Sequence, residues 1–152
     1  ENCDVDMEIQ IAKGSGIGSM EGPQNIAIKN TGITMKESGN YICGIGTSQS
    51  SSGSIDIIDS NVTISVDGRK VYLIGCESGD LQINATGSLF VLNGQASYVL
   101  GMGTYVRDAG INMKDTDYSI IVRAGQLIAI GAKEKDTHIN GGTQKICNKA
   151  HE

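Results

Sequence analysis

Apolar and polar residues alternate with period two in short runs along almost the whole chain. NIAIKN at 25–30, GITMKE at 32–37 and NYICGIG at 40–46 show the pattern, with turn residues between the runs. Such alternation reads as strands with one buried face, not as helices, whose apolar positions recur every three to four residues. The runs also return at a fixed interval. Gly18, Gly46, Gly75, Gly103 and Gly131 close the similar phrases GSGIGS, YICGIGTS, VYLIGCES, YVLGMGTY and LIAIGAKE, at spacings of 28, 29, 28 and 28. The extra residue of the long unit is assigned to the polar run TSQSSSGS at 47–54.

Other apolar positions hold the same phase. Ile26, Ile55, Ile83, Ile111 and Ile139 form one series, and Ile33, Val62, Phe90, Tyr118 and Ile146 a second. Met35, Ile64, Leu92 and Ile120 form a third, and Ile42, Val71, Val99 and Leu127 a fourth. Three short strands per unit, repeated in register, predict an all-β, single-stranded parallel β-solenoid with about five coils and a three-sided section. Each coil buries its apolar row on the next at the ~4.8 Å spacing of paired strands. One domain covers residues 1–152, and the general rule for parallel crossovers makes the coil right-handed.

Composition sharpens this reading. There are 21 glycines but one proline, one phenylalanine and no tryptophan. Without a Gly-X-Y period or abundant proline this is not collagen. Glycine spread through every segment disfavours a helical bundle, at roughly 1 kcal/mol per helix-interior glycine. Positive-φ coil corners account for the glycines: Gly18, Gly46, Gly75, Gly103 and Gly131 close the coils, while Gly39, Gly68, Gly94 and Gly125 mark a corner before the third strand. The net charge of −5 argues against nucleic acid and anionic membranes as partners, and no apolar run reaches the ~20 residues of a membrane span. A first residue other than Met is expected of a mature or excised fragment.

The repeat phrases GIGTSQSSSGSIDIIDSNVTISVDG at 44–68 and GIGSMEGPQNIAIKNTGITMKESG at 16–39 resemble the glycine-rich β-helix repeats of secreted and surface proteins from gut-type Gram-positive bacteria. The resemblance spans nearly the whole chain and is one of repeat grammar. It implies a β-helix on an extracellular or cell-surface protein, in a group often labelled carbohydrate-binding or adhesin-like, with no motif for activity.

Residues between the buried ones form outward columns. Ala27, Asp56, Asn84, Asn112 and Asn140 read as a ladder of side-chain hydrogen bonds, or as a ligand-contacting row. Thr34, Thr63, Val91, Ser119 and Cys147 lack the regular threonines of an ice-binding face. On the third strand, Tyr41, Lys70, Tyr98 and Gln126 align, with Tyr72 beside them. Aromatic faces next to polar groups suit sugar rings, so Tyr41, Lys70, Tyr72 and Tyr98 are the candidate carbohydrate-binding residues; tyrosines that merely fill a β-surface are the alternative. The neighbouring column Cys43, Tyr72, Leu100 and Ile128 is apolar enough for a protein contact. Asp115 and Asp117 read as a solvated corner, and neither they nor His138 and His151 form a catalytic or metal-binding constellation, so no cofactor and no enzyme activity is expected. Asn61-Val-Thr and Asn84-Ala-Thr match the glycosylation sequon.

Four cysteines in a secreted chain ordinarily pair. Here the coil phases separate every pair beyond disulfide reach, so no intramolecular bond is expected. Cys3 and Cys147 fall near opposite ends of the rod, and neither end shows a capping segment. These features support two main readings: a non-catalytic surface module binding glycan or host material, and a structural subunit stacking head to tail into an extracellular fibre, linked by Cys3–Cys147 disulfides. A solenoid lyase is a third.

Overall fold

A computed structural model describes residues 3–49 and 52–132, together with the backbone of 137–140 and 143–148. These residues form strands and turns with no helix. The strands are β1 (Cys3–Gln10), β2 (Lys13–Ser19), β3 (Gln24–Lys29), β4 (Thr31–Thr47), β5 (Gly53–Ile58), β6 (Asn61–Cys76), β7 (Leu81–Thr86), β8 (Leu89–Thr104), β9 (Ala109–Lys114), β10 (Asp117–Ala132), β11 (Thr137–Asn140) and β12 (Thr143–Asn148). Each pairing is parallel and joins equivalent strands of successive coils. One sheet runs β1-β4-β6-β8-β10-β12 with β2 also on β4, and the other runs β11-β9-β7-β5-β3. This is the parallel β-solenoid that the 28-residue period predicts.

The rows match the expected phases. Ile26, Ile55, Ile83 and Ile111 pair in sequence along the short strands, as do Met35, Ile64, Leu92 and Ile120 along the long ones. Both rows enter one continuous apolar core. At roughly 25 cal/mol per Å² of apolar surface removed from water, that stacking is the main force holding coil to coil.

Two details differ from expectation. The expected second and third strands are separate in the first coil, as β1 and β2, but run on as one long strand in β4, β6, β8 and β10. Gly39 pairs with Gly68, and the same place in β8 and β10 is held by Ala96 and Ala124. Small residues here let the strand bend without leaving the extended conformation. Gly94 is not at this bend, because it pairs with Val66 inside the coil. The last coil is also shorter than the repeat predicts: β12 seats Ile146 on Ile120, not on Tyr118.

Apart from Gly22, Gly53 and Gly79, positive φ recurs at two corner phases. Gly18, Gly46, Gly75, Gly103 and Gly131 all have φ between 123° and 150°. A Cβ on Gly46 would collide with the Gly75 carbonyl of the next coil, so glycine is required for both conformation and space. The second phase is left-handed at Asn30, Asp59, Gly87 and Asp115, and Asn and Asp tolerate that region best among residues with side chains.

A hydroxyl follows each left-handed corner. The backbone N–H groups of Thr31, Ser60 and Ser88 donate to Ser60 Oγ, Ser88 Oγ and Thr116 Oγ1 of the following coil, at 3.2, 3.2 and 3.4 Å. Each hydroxyl then donates to the carbonyl two residues back, at 2.7–2.9 Å. This ladder satisfies backbone donors where the sheets are interrupted.

Candidate functional site

The tyrosine face is largely closed. Tyr72 is fully buried and Tyr98 only 9% exposed, in a second apolar cluster with Cys43 and Leu100 that lies outside the coil core. The turns after β6 and β8 fold back over these outward positions. Tyr105, from the turn after β8, sets its ring edge-on to Tyr98 at 5.1 Å between centroids, and Tyr98 meets Tyr72 at 6.3 Å. Glu77, from the turn after β6, forms an ion pair with Lys70. The Lys70 ammonium stands 4.8 Å from the Tyr105 centroid, 5.7 Å from Tyr72 and 5.9 Å from Tyr98.

The hydroxyls of Tyr72 and Tyr98 are buried without a hydrogen-bond partner. Burial, reinforced by the negative charge of Glu77, holds both phenols well above the usual tyrosine range. Of the four expected sugar-binding residues, Tyr72 and Tyr98 are therefore withdrawn from solvent. Lys70 is half-buried and occupied by its own aromatic and acidic neighbours. Tyr41 is half-buried, with the Lys13 ammonium 5.7 Å over its ring. The structure brings Lys70, Tyr72 and Tyr98 together as packing, with Tyr41 outside their cluster. The apolar column Cys43, Tyr72, Leu100 and Ile128 is packed in this same cluster and is no open protein contact.

An open concavity lies on the other half of the same long strands. A shallow groove of about 690 Å³ crosses the coils just before the bend. Two outward columns line it: Glu8, Lys36, Ser65, Asn93 and Ile121 along one side, and Gln10, Ser38, Asp67, Gln95 and Arg123 along the other. Both columns are register-paired from β1 to β10. Successive side chains are thus spaced by the strand separation of ~4.8 Å. Asn93 Nδ2 donates to Ser65 Oγ at 3.4 Å, and the remaining groove groups present carboxylate, amide, hydroxyl, ammonium and guanidinium functions to solvent. Ile121, 37% exposed, is its outward apolar residue. Period-two alternation places these residues outward, but only the bend of the long strand makes a groove of them.

The expected asparagine ladder is present on the short strands. Asn84 Nδ2 donates to Asp56 Oδ1 at 2.7 Å, and Asn112 Nδ2 donates to Asn84 Oδ1 at 3.0 Å. The Asn84 sequon residue is thus engaged in this row. Asp115 and Asp117 are exposed at a corner, and among the described residues no three His, Cys, Asp or Glu gather to hold a metal ion. The side chains of Asn140 and Cys147, and both histidines, lie outside the described residues.

Among the described cysteines none is disulfide-bonded; Cys3 is exposed, Cys43 and Cys76 buried. Cys43 donates to the Gly75 carbonyl at 3.3 Å, and burial pushes its thiol far up. The Cys3–Cys147 pairing expected to link copies meets a register obstacle. Cys147 pairs with Ile121, a column that runs through Asn93, Ser65 and Lys36 to Glu8. A copy stacked in continuous register would set Glu8, not Cys3, over Cys147, with Cys3 five residues away along the strand. At 3.3 Å per residue that is about 16 Å, beyond disulfide reach.

Comparison with protein-family models, with curated proteins and with solved structures found no match to this chain.

Proposed function

We propose that this chain is a non-catalytic β-solenoid module of a secreted or surface protein, and that it binds glycan along the groove before the strand bend. The observation that carries the reading is the double row of side chains, one pair per coil and polar throughout except at Ile121, at a constant axial spacing. Sugar hydroxyls donate and accept at once, and the row Ser38, Asp67, Gln95 and Arg123, with Asn93 beside it, offers acceptors and donors together. The spacing is close to the length of one extended pyranose residue, so a linear oligosaccharide meets a fresh pair of side chains at each sugar. A peptide ligand is disfavoured because binding energy in such interfaces concentrates in Trp, Tyr and Arg anchors, and of these the groove lining holds Arg123 alone. A polyanion is disfavoured by the acidic balance of the chain. The extracellular setting rests on the repeat resemblance.

The test is a glycan array with the wild-type chain, Gln95→Ala and Arg123→Ala. Binding to a defined set of linear glycans that weakens at least tenfold in both variants supports the reading. A blank array, or binding indifferent to both changes, overturns it.

A further inference from the structure

Glu37 stands where the fold calls for an apolar side chain. Its register partners are Ile9 in β1 and Val66 in β6, and the column continues through Gly94 to Val122. All belong to the inward-facing series of the long strands. Glu37 is 4% exposed, and neither carboxyl oxygen has a hydrogen-bond partner. The space it fills is left by a missing side chain across the coil: a Cβ on Gly16 would strike Glu37 Oε1 and Met35 Sδ.

Among the described residues, the surroundings supply no counter-charge. From β1 the facing residue is Ile9, with Glu8 and Gln10 turned outward to the groove. From β2 it is Gly16, flanked by Ser15 and Ile17. From β6 it is Val66, with Ser65 and Asp67 turned outward. On β4 itself Lys36 is exposed, and the titratable neighbour is the Cys43 thiol, which the proximity of Glu37 helps to keep protonated. An unpaired carboxylate in such a place is too costly to keep, and the group takes a proton instead.

We propose that Glu37 is a buried proton-binding site that makes the first two coils pH-responsive, holding β1 and β2 on β4 when protonated and releasing them when ionised. Burial pushes its carboxyl up to about 7, against 4.5 in the open chain. Because the folded state binds the proton more tightly than the unfolded state, the stabilisation is full below pH 4.5. It is lost progressively as pH rises toward and through 7. The opening localises to β1 and β2 because each pairs only with β4 among the described strands. Their apolar residues Val5, Met7 and Ile17 are half-buried, whereas Ile33, Met35 and Ile45, their partners one coil on, are fully covered.

The experiment is a carbon-13 NMR titration of the Glu37 carboxyl in the wild-type chain, paired with urea unfolding of wild type and Glu37→Gln at pH 5 and pH 8. The carboxyl resonance is expected to titrate near pH 7. The wild-type folding constant is expected to fall on the order of 70-fold more than the variant's between the two pH values, from the shift in the carboxyl's proton affinity. Native-state hydrogen exchange is expected to show β1 and β2 amides losing protection over that range while β8 keeps it. Should Glu37→Gln not fold, Glu37→Val, which matches Val66 and Val122 in the column, replaces it. A carboxyl titrating between 4 and 5, or parallel pH dependence of wild type and variant, overturns the proposal.

Discussion

The long strands carry two outward faces separated by one bend, and the two have opposite fates. Before the bend, Ser38, Asp67, Gln95 and Arg123 border an open groove. After it, Tyr72 and Tyr98 point outward by the same alternation, yet they are buried in an aromatic cluster. The difference arises from where each half of the strand leads. The groove half runs straight on into the bend, whereas the tyrosine half ends in turns that fold Glu77 and Tyr105 back over it. Outwardness in a solenoid strand is therefore a statement about the coil, and exposure is decided by the turns.

The comparison breaks most visibly at Tyr72. Truncation to alanine should cost about 4 kcal/mol in urea unfolding, the range of a large aromatic lost from a packed core. A loss under about 1 kcal/mol would mean that the face is open after all. Next comes the positive-φ corner near the end of β4: Gly46→Ala, with φ of 128° and a Cβ against the Gly75 carbonyl, should cost about 3 kcal/mol in the same assay. Lys70→Met keeps the aliphatic stem over the rings but loses the cation–π contacts and the Glu77 pair. Both are partly exposed, so about 1 kcal/mol is expected. On the open side, Asp67→Ala should change stability by no more than about 0.5 kcal/mol while weakening glycan binding at least tenfold. Equal stability losses from Asp67→Ala and Tyr72→Ala would erase the distinction.

Much of the architecture is legible in the residues themselves. The isoleucine row at 26, 55, 83 and 111 and the glycines at 46, 75 and 103 specify strand register and one corner, because a buried face and a positive φ each demand a narrow set of side chains. The second corner is written as Asn30, Asp59 and Asp115 ahead of Thr31, Ser60 and Thr116, but no apolar signal draws attention to it. The strand break expected at Gly39 and Gly68 is a bend, since glycine permits a turn without imposing one. The last coil's two-residue shortening is hidden because Ile146 fits either Tyr118 or Ile120.

The site is harder to read. Tyr72 and Tyr98 resemble ligand residues because alternation says nothing of a turn folding back, and Tyr105 carries no mark of its role. Glu37 is visible in principle as the one acidic residue in the column Ile9, Val66, Gly94 and Val122. Its meaning depends on Gly16, which only the closed coil brings opposite.

The central claim, that ligand binds before the bend and not after it, is tested most directly by amide chemical-shift mapping with the tightest-binding linear oligosaccharide from the array. The expected result is perturbation running up the axis through Ser38, Asp67, Gln95 and Arg123, with the amides of Tyr72 and Tyr98 unmoved. Perturbation centred on Tyr41, Lys70 and Tyr98, with a silent groove, would contradict it.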